Sequence, residues 1–137
     1  MREMKFRGMD ANGIMRYGRL SQDKPDTTLY FSEYSQRICW DDSNIPVSNK
    51  TLGQYIGGKD DNDKEVYEND IIKCVISGLN DEKPIICIVK WLQDETRFVA
   101  QLVNELVGIM PLCYRISAMQ SIEVIGNIYE NPDLLNP

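Results

Sequence analysis

A chain of 137 residues with 42% hydrophobic and 26% charged residues has the composition of one folded domain, or of two small subdomains sharing a core, and excludes wholesale disorder. Its formal net charge of −6 argues against a generic grip on nucleic acid, because sequence-independent affinity comes from Lys and Arg displacing counterions from phosphates. No apolar run approaches the ~20 residues that span a bilayer, and charges interrupt MREMKFRGMD where a signal peptide carries an apolar stretch, so a cytoplasmic protein with no membrane partner is expected.

From Met4 to Gly8 apolar and charged side chains alternate, the period of a half-buried strand. Asp10-Ala11-Asn12-Gly13 supplies a turn whose Asn-Gly tolerates positive φ, and Ile14 to Tyr17 is the returning strand. After a polar loop over Ser21–Thr28, short β-prone stretches follow at Leu29–Phe31 and Arg37–Trp40. Asp41 to Lys50, rich in Asp, Ser and Asn, reads as a long loop and marks a subdomain boundary near residue 50.

Beyond Leu52 the β signal strengthens. Asp70–Ser77 and Pro84–Leu92 are apolar, β-branched runs separated by the turn residues of Ser77–Lys83, and Arg97–Val103 follows a turn at Gln93–Thr96. These predict a meander of three antiparallel strands. Gln101–Val107 also fits one or two helical turns, Ser121–Tyr129 returns to a strand pattern, and the tail from Asp133 to Pro137 reads as loose. The fold class is therefore all-β: an N-terminal β-hairpin subdomain over residues 1–50 and, over 51–137, five apolar runs matching a small SH3-like β-barrel.

The acids of Asp60–Asp70 invite a chemical reading, which fails on named residues. An oxygen-ligand loop starting at Asp61 has Val66 at the sixth position, where Gly is required, and Ile72 at the twelfth, where a bidentate Glu belongs. Glu68 and Asp70 lie two apart, as an acid/base pair might, yet they are better used in a tight turn delivering Ile71 and Ile72 to the core. With no His, the common Cys–His and Ser–His pairs are excluded; Cys74 and Cys87 read as buried thiols facing each other across a hairpin. No catalytic residue, metal ligand or cofactor is expected.

Three blocks carry a resemblance: Arg2–Arg7, the central Gly58-Lys59-Asp60 with Lys64–Ile72, and Glu123–Pro132. In their order and spacing they resemble the YopX family of phage and prophage proteins. Asp63 and Asn69 stand where that family has glycines, both residue types that tolerate left-handed backbone, and Met9 replaces a frequent aromatic. The resemblance implies a β-rich fold and a viral or prophage origin, with no established activity and no catalytic residues to carry over.

The expectation is a non-enzymatic interaction or assembly module in the host cytoplasm, a homo-oligomer or the partner of a phage or host protein, with Tyr34 and Trp40 on the partner surface. The alternative is a nucleic-acid-binding β-barrel module using Arg2, Lys5 and Arg7.

Overall fold

The computed structural model describes residues 4–21, 34, 36–40, 43–78, 80–103, 113–116 and 119–135. The chain forms two compact units, Met1–Gly57 and Gly58–Pro137. Every assigned ladder is antiparallel and the remaining described elements are short 3-10 turns, so the fold is all-β. No helix among the described residues is long and apolar enough to cross a membrane.

In the first unit, β1 (Phe6–Met9) and β2 (Met15–Leu20) form the expected hairpin, paired from Phe6 opposite Gly18 to Met9 opposite Met15. β3 (Gln36–Trp40) continues from β2, and β4 (Ser43–Val47) pairs with β3 over five positions, from Trp40 opposite Ser43 to Gln36 opposite Val47. This corrects the reading of Asp41–Lys50 as a loop. Polar composition hid an edge strand in which Ile38 opposes Ile45, Val47 is fully buried, and Pro46 is tolerated because an edge strand has one unpaired side.

β5 (Gly53–Lys59) pairs with β1 through Gly53 and Gln54. Residues 51–57 therefore belong with the first unit, and the division falls at Gly57–Gly58 rather than near residue 50. Ser48 and Thr51 stitch the approach to β5 onto β1: the Ser48 N–H donates to the Met9 carbonyl at 2.7 Å, and the Met9 N–H to Thr51 Oγ1 at 2.8 Å.

In the second unit the end of β5 meets β6 (Glu65–Tyr67). Then come β7 (Asp70–Ile76), β8 (Ile85–Leu92), β9 (Arg97–Leu102), β10 (Cys113–Arg115) and β11 (Met119–Asn127), in the sheet order β10-β9-β8-β7-β11. The predicted meander is β7–β8–β9. Gln101 and Leu102 complete β9, while 104–107 of the suggested helical turn lie outside the described residues. Of the tail from Asp133 to Pro137, expected to be loose, residues 133–135 belong to a 3-10 turn that starts at Pro132, and 136–137 lie outside the described residues.

No ladder among the described residues joins β10 to β11, so the sheet is open and the expected SH3-like closure is not seen. Closure would have removed both edges. Here β11 turns back onto β7 instead, with register shifts between Met119 and Ser121 and between Val124 and Gly126. One face carries Ile72, Cys74 and Ile76 of β7, Ile85, Cys87 and Val89 of β8, and Ala100 and Leu102 of β9, while Ile71 and Val99 are buried on the other. The period-2 alternation is clearest in β8, where Ile85, Cys87 and Val89 are buried and the residues between them half-buried.

Candidate interaction surface

The acidic turn was the most conspicuous stretch in the sequence, and its geometry accounts for its acids. Asp60 Oδ1 accepts the N–H groups of Asn62 at 2.9 Å and Lys64 at 2.8 Å, while the Asp60 N–H donates to the Lys64 carbonyl and the Asp63 N–H to the Asp60 carbonyl. Such an Asx turn closes the β5–β6 hairpin with Asp63 at φ 66°. The other oxygen, Oδ2, accepts the Val124 N–H of β11 at 2.9 Å. Asp61 pairs with Ile122 twice, donating its N–H to the carbonyl at 3.0 Å and accepting the Ile122 N–H on Oδ2 at 3.2 Å.

β11 is an edge strand, and these carboxylates occupy its outward amides, a role that otherwise falls to another strand. Burial opposes ionisation of Asp60, but the N–H groups of Val124, Lys64 and Asn62 and the Lys64 charge outweigh it and hold the carboxyl below its ordinary range. Among the described residues no three His, Cys, Asp or Glu side chains gather as metal ligands would.

The second half of the stretch is a polar knot. Asp70 is buried and its Oδ2 accepts the Tyr67 N–H at 2.8 Å, closing the turn Glu68-Asn69 with Asn69 at φ 68°. Asn69 donates its side-chain N–H to Tyr129 Oη at 2.9 Å and accepts Lys90 Nζ at 2.8 Å; its backbone N–H reaches Val89, and its carbonyl accepts from Ile128. Asn127 caps the following turn, its Oδ1 accepting the N–H groups of Tyr129 at 3.0 Å and Glu130 at 2.9 Å. Asn131 folds back so tightly that a Cβ at Gly126 would lie 2.5 Å from its Oδ1. Glu68 and Asp70 thus serve the turn that sends the fully buried Ile71 and Ile72 inward.

The first unit leaves apolar side chains at its surface. Asp10 turns the β1–β2 hairpin, Oδ1 accepting the N–H groups of Asn12 at 2.9 Å and Ile14 at 3.0 Å, while Oδ2 accepts Arg16 Nε at 2.8 Å. Hydrogen bonding by the Ile14 N–H, then by Arg16 and Asn12, outweighs burial and holds its carboxyl below the ordinary range. Just past this turn Ile14 is 49% exposed and Tyr17 43% exposed, and Tyr17 lines a hollow of about 240 Å³ with Met15, Arg16, Ile38 and Ile45.

Tyr17 was not singled out among the aromatics by sequence reasoning. Its signal was the alternation of β2: Tyr17 shares a strand face with Arg19, which is exposed, so that face meets solvent.

Of the residues expected at a partner surface, Tyr34 is half-buried in a turn and Trp40 ends β3 opposite Ser43 in the same unit. Arg2 lies outside the described residues. Lys5 Nζ stands 5.8 Å from the Tyr55 ring centroid, and Arg7 is 3% exposed on β1 opposite Tyr17. Arg7 and Lys5 therefore face the protein more than solvent. Cys74 and Cys87 do meet across β7 and β8, their sulfurs 3.4 Å apart.

Comparison with known proteins agrees with the fold. The crystal structure of protein EF1440 from Enterococcus faecalis is similar, with a TM-score of 0.53 and 21% identity over 98% of this chain and 99% of that one. No curated protein matches the chain. The family profile described as YopX protein matches residues 5–136, nearly the whole length. With the described residues of its three sequence blocks falling in or next to β1, in the acidic turn and in the β11 knot, the chain belongs to the YopX protein family.

Proposed function

We propose that this YopX-family protein, of phage or prophage origin, acts in the host cytoplasm as a non-enzymatic assembly module whose first partner is a second copy of itself. The observation that carries the reading is the apolar surface of the first unit. Tyr17 is a large, half-exposed side chain lining an apolar hollow together with Arg16, the aromatic-and-arginine anatomy of an interface core, and Ile14 is exposed at the start of the same strand. β4, a strand of five residues in the same unit, ends the strand order of its sheet among the described residues, the position at which a neighbour's strand extends a sheet.

Sedimentation velocity across micromolar concentrations tests it. The expected result is a species heavier than the 15.8 kDa monomer that Tyr17→Asp converts to monomer; a single monomer boundary at every concentration overturns it. A second reading, nucleic-acid contact, draws on charge: residues 1–57 hold eight Lys and Arg against seven Asp and Glu, while 58–137 hold seven against fourteen. The inward placement of Arg7 and Lys5 weakens it, and an absence of gel shift at low salt would remove it.

A further inference from the structure

The core of the second unit holds a pair of adjacent thiols that the proposed association does not use. Cys74 of β7 and Cys87 of β8 are free thiols, each 0% exposed, with sulfurs in contact at 3.4 Å. Strand register places them on a diagonal, Cys74 opposite Ile85 and Cys87 opposite Ile72. A packed apolar core has no need of two adjacent thiols, because Val or Ala fills the same space without oxidisable sulfur.

We infer that Cys74 and Cys87 form a peroxide-responsive dithiol that closes into a reversible disulfide between β7 and β8. The sulfurs need approach by only about 1.4 Å to reach bonding distance. Cys74 lines a hollow of about 390 Å³ together with Asp61, Asn62, Lys73, Ser121 and Ile122, although no surface of its own is exposed. Both sulfurs are buried, so the reaction requires a local opening at that hollow wide enough for a molecule the size of hydrogen peroxide. The hydrogen bond from Cys87 holds the Cys74 thiol below its ordinary range against burial, while the bond to Cys74 together with burial pushes Cys87 up.

The chemistry balances with a peroxide as the oxidant. The Cys74 thiolate attacks one peroxide oxygen, the O–O bond breaks, hydroxide leaves, and a sulfenic acid forms. The Cys87 sulfur then attacks the Cys74 sulfur while its proton goes to the departing oxygen; the S–S bond forms, the S–O bond breaks, and water leaves. Two thiols lose two electrons, and one peroxide becomes two waters. A diagonal cross-strand bridge is strained, which raises its potential and makes it readily reducible rather than a permanent staple.

The test is intact mass spectrometry with thiol counting on the folded chain after hydrogen peroxide, in the wild type and in a Cys39→Ser/Cys113→Ser background. The expected result is a loss of about 2 Da and of both remaining thiols in that background, with a Cys74–Cys87 cross-linked peptide that glutathione reduces. Cys74→Ser in the same background should abolish the mass loss. Added oxygen on either cysteine without a cross-link overturns the inference. So do thiols that stay reduced in the folded chain while the urea-unfolded chain oxidises under the same treatment.

Discussion

At Asp10 and at Asp60 one carboxylate oxygen accepts the N–H groups two and four residues on, and the aspartate N–H returns a bond to the carbonyl four residues on. The third residue after each aspartate, Gly13 at φ 77° and Asp63 at φ 66°, takes the left-handed conformation. The two turns part at the other oxygen. Asp10 spends it on Arg16, a half-exposed side chain of its own hairpin; Asp60 spends it on Val124, an amide of an edge strand 64 residues away in sequence. The same local device is a hairpin closure in the first unit and a long-range clamp in the second. That difference explains why the acidic stretch resembles a site and is occupied by structure, while the hairpin next to Asp10 keeps apolar surface available.

The largest effect separating the two turns should come from Asp60→Ala. It strands two turn amides and the Val124 amide, and hydrogen bonds to a charged, buried acceptor imply a loss of about 2–4 kcal/mol. Asp10→Ala should lower the urea midpoint less, because it strands two amides of its own hairpin and none of another strand. Equal midpoints for the two variants would break the comparison.

Acid should come next. Both carboxyls are held below their ordinary range in the folded chain, so each contributes stability that is complete above the unfolded value near 3.8 and lost as pH falls through the folded value. Asp60→Asn should therefore flatten the fall in stability below about pH 4 and leave the pH dependence above about pH 5 unchanged. A wild-type acid limb in Asp60→Asn would contradict this assignment.

The smallest effect is an exchange of the left-handed residues. Asp63→Gly relieves positive φ at an exposed position and should stabilise by about 0.5–1 kcal/mol, and Gly13→Asp should cost a comparable amount. Asn69→Gly relieves the same kind of strain but must destabilise, because Asn69 also holds Tyr129 and Lys90. Chemical denaturation of the three variants sorts them by sign.

Local chemistry in the sequence carried the local structure. Asn12-Gly13, Asn62-Asp63 and Glu68-Asn69 are turns because those residue types tolerate the backbone the turns require, and the apolar runs of β7, β8 and β9 announced a meander. The bond between Asp60 and Val124 could not be read in the same way, since nothing in either segment encodes its partner. The open sheet was illegible for that reason: counting five apolar runs suggested a barrel, but closure depends on which edges find each other. β4 was hidden by its polar flanks and Pro46, and Tyr17 by attention to aromatics in irregular segments rather than on a strand's solvent face. The thiol contact was foreseen because Cys74 and Cys87 fall in adjacent antiparallel runs.

The division of labour in the Asp60 carboxylate is tested most directly by residue-resolved amide hydrogen exchange on Asp60→Asn. The variant keeps an acceptor oxygen for the turn and replaces the one facing β11. Exchange at Val124 should accelerate at least about tenfold, a 1.4 kcal/mol loss of local protection, while Lys64 changes little and Ile14 in the first unit not at all. Unaltered protection at Val124, or an equal loss at all three amides, would contradict the clamp.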